Sequence, residues 1–255
     1  MITTTTPALC LPSIMGTLKR FYRNVLQNHL SFAADMHEDR IHALELESHL
    51  AIATYNDFTL TDAVRPSFDL KIIPEQGYKY ERLTLAADSA ATTPRTRWLK
   101  PILVVSVSLE HLFETFLDLL DPLGNTVSVV LETSHCDFGA RLLGLRREHM
   151  DLPVLKSFLY DHEELLLHDG CTGIAVFAPK LSIGIRFDEH KLLLIRAKSL
   201  YPFERILHQH NIPRKDTMPL LTDAEHIHIT RGEYSQHFRD LRVSLGMDER
   251  YTTAR

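Results

Sequence analysis

Residues 173–197 read "GIAVFA", "PK", "LSIGIRF", "DEH", "KLLLIRA", three apolar runs separated by two and then three polar residues. Connections that short cannot carry a strand back over a sheet, so the runs must be antiparallel neighbours in a meander. That one stretch excludes an all-helical chain and an all-parallel sheet. Around it the pattern alternates. "PILVVSVS" is a β-branched strand, and Ser108 then precedes Leu109, Leu112, Phe113, Phe116, Leu117 and Leu120, one apolar stripe at helical spacing that Pro122 and Gly124 end. "TVSVVLET" is the next strand. Residues 152–168 form a longer helix, with Asp151 as its cap, Pro153 in its first turn and Asp169 and Gly170 as its stop. After the meander come a helix from about 202 to 210, the short strand "HIHIT", and a last helix with Thr230 and Glu233 at capping-box spacing and Gly246 at its end.

The order β-α-β-α-β-β-β-α-β-α predicts an α+β fold with a mixed or mainly antiparallel sheet and helices packed on it. Residues 98–246 form this domain. Residues 87–97 lie in a stretch rich in small and polar side chains, "AADSAATTPRTR", and are read as a linker. Residues 1–86 precede it as a helical and hairpin region: one helix carries Ile14, Leu18, Phe21, Tyr22, Val25 and Leu26, a second spans about 39–55, and a hairpin is built around Pro74 and Gly77. Residues 247–255 are read as a flexible tail. No fixed-period repeat is present, which excludes solenoids and propellers.

No apolar run approaches the roughly 20 residues needed to cross a bilayer, and no basic segment precedes the apolar residues at the N-terminus, so neither a membrane partner nor export is expected. Cys10, Cys136 and Cys171 are too few and too widely spaced for a disulfide framework, and a cytoplasmic location follows as the expectation. A net charge of −5 gives no electrostatic reason to bind a phosphate backbone; nucleic acid is not an expected partner.

The chemistry-bearing candidate is "EHIHIT". A period of two puts His226 and His228 on one face of the strand, roughly 6–7 Å apart, a spacing from which two ligands can reach one metal ion. Zinc or another divalent transition metal is the cofactor such a pair would take, and otherwise no cofactor is expected. A third donor must come from elsewhere in the chain. Asp188, at a hairpin tip with Glu189 and His190, is the first nominee, and His208, at the end of the preceding helix, is the second. Two other groupings are weaker. Glu38, His42, Glu45 and His49 share a helical face, which reads as a solvated surface, and His135, Cys136 and Asp137 are adjacent in sequence, which does not make a triad. G-x-G-x-x-G, G-x-x-x-x-G-K-[ST], G-x-S-x-G and H-E-x-x-H are all absent. These absences point to a non-catalytic binding or regulatory module acting through protein or small-ligand contacts. The alternative is a metal-dependent hydrolase using His226 and His228.

Overall fold

The computed structural model describes residues 48–66, 72–81, 84–85, 97–98, 102–135 and 143–247. The expected first helix, most of the second, Cys10, Cys136, Asp137 and residues 248–255 of the expected tail lie outside these residues; Met247, read as the start of that tail, is buried in the core.

The meander forms as expected. Strands β10 (Thr172–Ala178), β11 (Ile183–Phe187) and β12 (Leu193–Arg196) pair antiparallel, Ile174 opposite Phe187 and Ile185 opposite Ile195. They sit at the centre of a seven-stranded sheet. On one side β12 pairs with β7 (Ile102–Ser106) and β7 with β4 (Gly77–Glu81); on the other β10 pairs with β8 (Thr126–Thr133) and β8 with β9 (Leu143–Asp151). Every neighbouring pair is antiparallel. The fold is therefore α+β with one large antiparallel sheet. β7 and β8, joined through a helix, are separated by the whole meander and do not touch as a parallel pair.

Three smaller pairings complete the strand list: β1 (Thr54–Tyr55) with β2 (Phe58–Thr59), β3 (Val64–Pro66) with β13 (His226–His228), and β5 (Thr84–Leu85) with β6 (Arg97–Trp98). The second expected helix ends before Ile52, and Thr54–Tyr55 turns back as a strand. Gly77 opens a strand that pairs with β7, and residues 67–71 of the expected hairpin lie outside the described residues. Sheet pairing thus crosses the expected linker, because β4 is an edge strand of the large sheet and β3 is the partner of β13.

One face of the sheet carries the main core. Leu103, Val105, Val129, Leu131, Ile174, Val176, Ile185, Phe187, Leu193 and Ile195 project there at period two. α1 (Leu109–Leu119) covers them with Leu112, Phe113 and Phe116, and the Phe116 and Phe187 rings meet at 5.1 Å. Each of these fully buried side chains contributes about 1.5–3 kcal/mol of transfer free energy. α2 (Leu152–Asp161), α3 (Glu163–His168), α4 (Tyr201–Gln209) and α5 (Tyr234–Ser244) complete the cover. The expected single helix over 152–168 is two, broken at His162, whose backbone (φ −123°, ψ 23°) leaves the helical region. The expected capping box before α5 does not form: Glu233 takes the cap position with no side-chain bond, and Thr230 Oγ1 points to the Arg231 carbonyl. Gly246, at φ +61°, ends that helix in the left-handed conformation glycine tolerates best. The opposite face of the sheet packs Ile102, Val104, Leu192 and Leu194 against Met218 and Leu220. Among the described residues, no helix is long and apolar enough to cross a membrane.

The topology brings four chain ends together. The C-terminal ends of β8 and β11 and the N-terminal ends of β10 and β12 lie at one end of the large sheet, and the loop before β10 reaches the β3–β13 pair there.

Candidate metal centre

The turn between β11 and β12 is built by one carboxylate. Asp188 Oδ1 accepts the backbone N–H of His190 at 3.0 Å and of Leu192 at 2.9 Å, while the Asp188 carbonyl accepts Lys191 N–H at 3.0 Å. Aspartate at the first position of a tight turn favours this closure because its side chain mimics a backbone acceptor. Lys191 takes φ +64° to complete it. At the turn the His190 Nδ1–H donates to Asp188 Oδ2 at 3.0 Å. Asp188 and His190 are both buried.

The second element is β13. It pairs antiparallel with β3, His226 opposite Pro66 and His228 opposite Val64, which fixes both imidazoles on one face as the period-two pattern requires. His226 Nδ1–H donates to the Ala224 carbonyl at 2.9 Å, and His228 Nδ1–H donates to the Gly170 carbonyl at 2.8 Å. The tautomers follow from the acceptors, because a carbonyl oxygen can receive only an N–H.

The three imidazoles converge. Ring centroids are 4.9 Å apart for His190 and His226, 4.7 Å for His190 and His228, and 5.0 Å for His226 and His228. One nitrogen of each ring lies within 4.8 Å of one from each of the others. Each Nδ1 already has an acceptor, so Nε2 is the nitrogen left to face the shared space. Three imidazoles bound at about 2.0–2.1 Å to one tetrahedral ion have ring centres about 5 Å apart, which matches this triangle.

Of the two donors nominated from sequence to join His226 and His228, Asp188 stands behind His190 and holds its Nδ1, and His208 is exposed on α4, apart from the cluster. His190 completes the triangle. A sequence signal for it exists in retrospect: aspartate at the first position of a short turn folds its carboxylate back onto its own backbone, leaving the residue two positions later to reach outward.

Burial is the largest single influence on each of three groups here, though not always the deciding one. It pulls the His228 imidazole well below its ordinary range, and the neighbouring His190 and His226 add to the effect. Burial alone would raise the Asp188 carboxyl, but His190, Arg186 and the Leu192 N–H outweigh it and hold the group well below the usual carboxylate range. His190 shows the reverse balance: burial lowers its affinity for a proton, and the Asp188 carboxylate more than restores it.

Beneath the triangle lies a layer of buried charge. Arg186 Nη2 forms an ion pair with Glu132 Oε2 at 2.6 Å, a diagonal pair across β10. Asp169 accepts His135 Nε2–H at 2.8 Å, the Cys171 N–H at 3.2 Å and the Thr172 hydroxyl. His135, Asp169 and Cys171 are the second group of donors placed close together among the described residues. These three bonds tie the loop before β10 to the chain just after β8. His49, from the helical face read in the sequence, is buried against the Pro66 carbonyl at 2.7 Å.

Gly170 joins the two clusters. Its N–H donates to the Ile229 carbonyl at 2.8 Å while its own carbonyl receives His228. A Cβ there would lie 2.3 Å from the Ala63 oxygen and 2.7 Å from the Ile229 oxygen, distances no side chain tolerates. Gly170→Ala is therefore expected to destabilise the protein by about 1–3 kcal/mol and to push β13 away from His190. Urea unfolding monitored by circular dichroism checks this. An unchanged midpoint would show that β3 and β13 do not pack on Gly170 as described.

No family model, curated protein or solved structure was found to match the chain.

Proposed function

We propose that this protein is a metal-dependent hydrolase whose single divalent transition-metal ion is held by His190, His226 and His228. The observation that carries the reading is the convergence of three imidazoles, one nitrogen of each within 4.8 Å of one from each of the others, with every Nδ1 already committed to an acceptor. A donor set of imidazole nitrogens suits zinc, copper, nickel or iron and is poorly suited to magnesium or calcium, which take oxygen ligands. Structural zinc sites characteristically have four protein ligands, whereas catalytic sites have three and keep a position for water or substrate. Such an ion supplies Lewis acidity toward a carbonyl or phosphoryl oxygen and toward water.

The chain's own residues do the positioning. The β3–β13 ladder sets the spacing of His226 and His228, the turn at Asp188 sets His190, and the carbonyls of Gly170 and Ala224 set the ring orientations. Perturbed buried ionisable groups gathered around one point are the electrostatic character expected of a reactive site.

One observation favours a second reading. The ligands come from two different sheets, so the same ion would also tie the β3–β13 pair to the end of the large sheet, as a non-catalytic centre in a binding protein does. The test is hydrolysis of activated carboxylic and phosphate esters by metal-free and zinc-loaded protein. Turnover that follows zinc loading, is removed by chelation and is lost in His226→Ala is expected. Stoichiometric zinc without turnover on either ester class would contradict the hydrolase and support the second reading.

A further inference from the structure

We infer that Asp188 is a positioning residue that locks the tautomer of His190, an inference whose purpose rests on the metal reading above. Of the three acceptors behind the imidazoles, two are backbone carbonyls and one, Asp188, is a carboxylate, the only one a substitution can change without moving the chain. Its two oxygens have divided duties. Oδ1 accepts the backbone N–H groups of His190 and Leu192, and Oδ2 accepts the Nδ1–H of the His190 ring. The carboxylate cannot rotate without giving up two backbone bonds in a buried turn. Oδ2 is thereby aimed at His190 Nδ1 before any ion arrives, the ring must carry its proton on Nδ1, and Nε2 is left with the lone pair that faces His226 and His228. A carboxylate behind a ligating histidine both orients the ring and strengthens it as a donor.

The division of duties makes Asp188→Asn an informative replacement, because asparagine is nearly the same shape. The amide oxygen must take the Oδ1 place, where two N–H groups need an acceptor, and this puts the NH2 group in the Oδ2 place. Two donors then face each other across the His190 Nδ1 position. The ring relieves the conflict by moving its proton to Nε2, where Nδ1 accepts from the amide and Nε2 must give up a proton before it can bind a metal.

Nitrogen-15 NMR of the imidazoles, in metal-free protein at mildly alkaline pH, reads this directly. The wild-type chain is expected to show His190 as the Nδ1–H tautomer, and Asp188→Asn is expected to convert His190 to Nε2–H while His226 and His228 keep Nδ1–H. Zinc affinity of the same variant is expected to fall by about 10- to 100-fold. An Nε2–H tautomer for His190 in the wild type, or an Nδ1–H tautomer retained in Asp188→Asn, would overturn the lock; the wild-type spectrum alone decides should the variant fail to fold. The tautomer is measured without metal, so the two readings fail separately. A wild-type Nδ1–H tautomer in a chain that takes up no zinc upholds the lock and removes the metal centre.

Discussion

His228→Ala is expected to reduce zinc affinity by more than about 100-fold, a larger loss than the roughly 10- to 100-fold that follows removal of a residue behind a ligand. His228 is paired in the β3–β13 ladder, bonded to the Gly170 carbonyl and within 5.0 Å of both other ring centroids. Its loss leaves two nitrogens, which cannot hold an ion against water and buffer as three do. Stability carries the same signal. An ion that binds only the folded chain, present at about 1,000 times its dissociation constant, adds about 4 kcal/mol. For a domain of this size that is a rise of roughly 8–16 °C in Tm. Thermal unfolding with and without zinc should show the full rise in the wild type and no more than about a third of it in His228→Ala. Equal rises in both would place the zinc elsewhere.

Glu132→Ala is expected to destabilise the protein by about 3–5 kcal/mol, the cost of removing one partner from a buried ion pair. Both side chains are buried and meet at 2.6 Å. Burial raises the Glu132 carboxyl, and Arg186 is the strongest influence opposing that rise. Without Glu132 the guanidinium keeps its desolvation cost and loses its nearest carboxylate. The double replacement Glu132→Leu, Arg186→Met removes both charges and should recover most of the loss, because well-packed apolar side chains replace a buried pair at little cost. Chemical denaturation of the two single variants and the double variant checks the pattern. A single variant as stable as the wild type would mean that the pair is hydrated rather than buried.

The sheet was legible where side-chain chemistry and geometry agree. Residues 173–197 combine long apolar β-runs with turns too short for a crossover, and this alone determines three central strands and their antiparallel order. Residues 143–151 were not legible. "LGLRREHMD" forms the edge strand β9, whose outer residues from Arg146 to His149 are exposed, so the chain shows no apolar period and reads as a basic stretch. The break at His162 was hidden for another reason: the apolar spacing of residues 152–168 runs through it, and only the backbone departs from the helix.

For the site, His226 and His228 were visible as a pair because a strand fixes them on one face. Their partner was harder to read, since the only local sign of which residue in the hairpin tip at 188–190 faces outward is the tendency of Asp188 to fold back onto its own turn. Asp188 is the nearer donor to the strand end, but its carboxylate is drawn back by the N–H groups of its own turn, which leaves His190 to face outward. Burial of the Asp169, Glu132 and Arg186 charges is likewise a property of the assembled sheet end, which no segment announces alone.

Cobalt titration of untagged, metal-free protein, followed by visible absorption, is the most direct measurement of the three-histidine centre. The expected result is saturation at one ion per chain with the intense visible bands of low-coordinate, nitrogen-bound cobalt, retained in the exposed His208→Ala variant and lost in His190→Ala. The absence of such bands, or bands of equal strength in a variant lacking His190, His226 and His228 together, would contradict it.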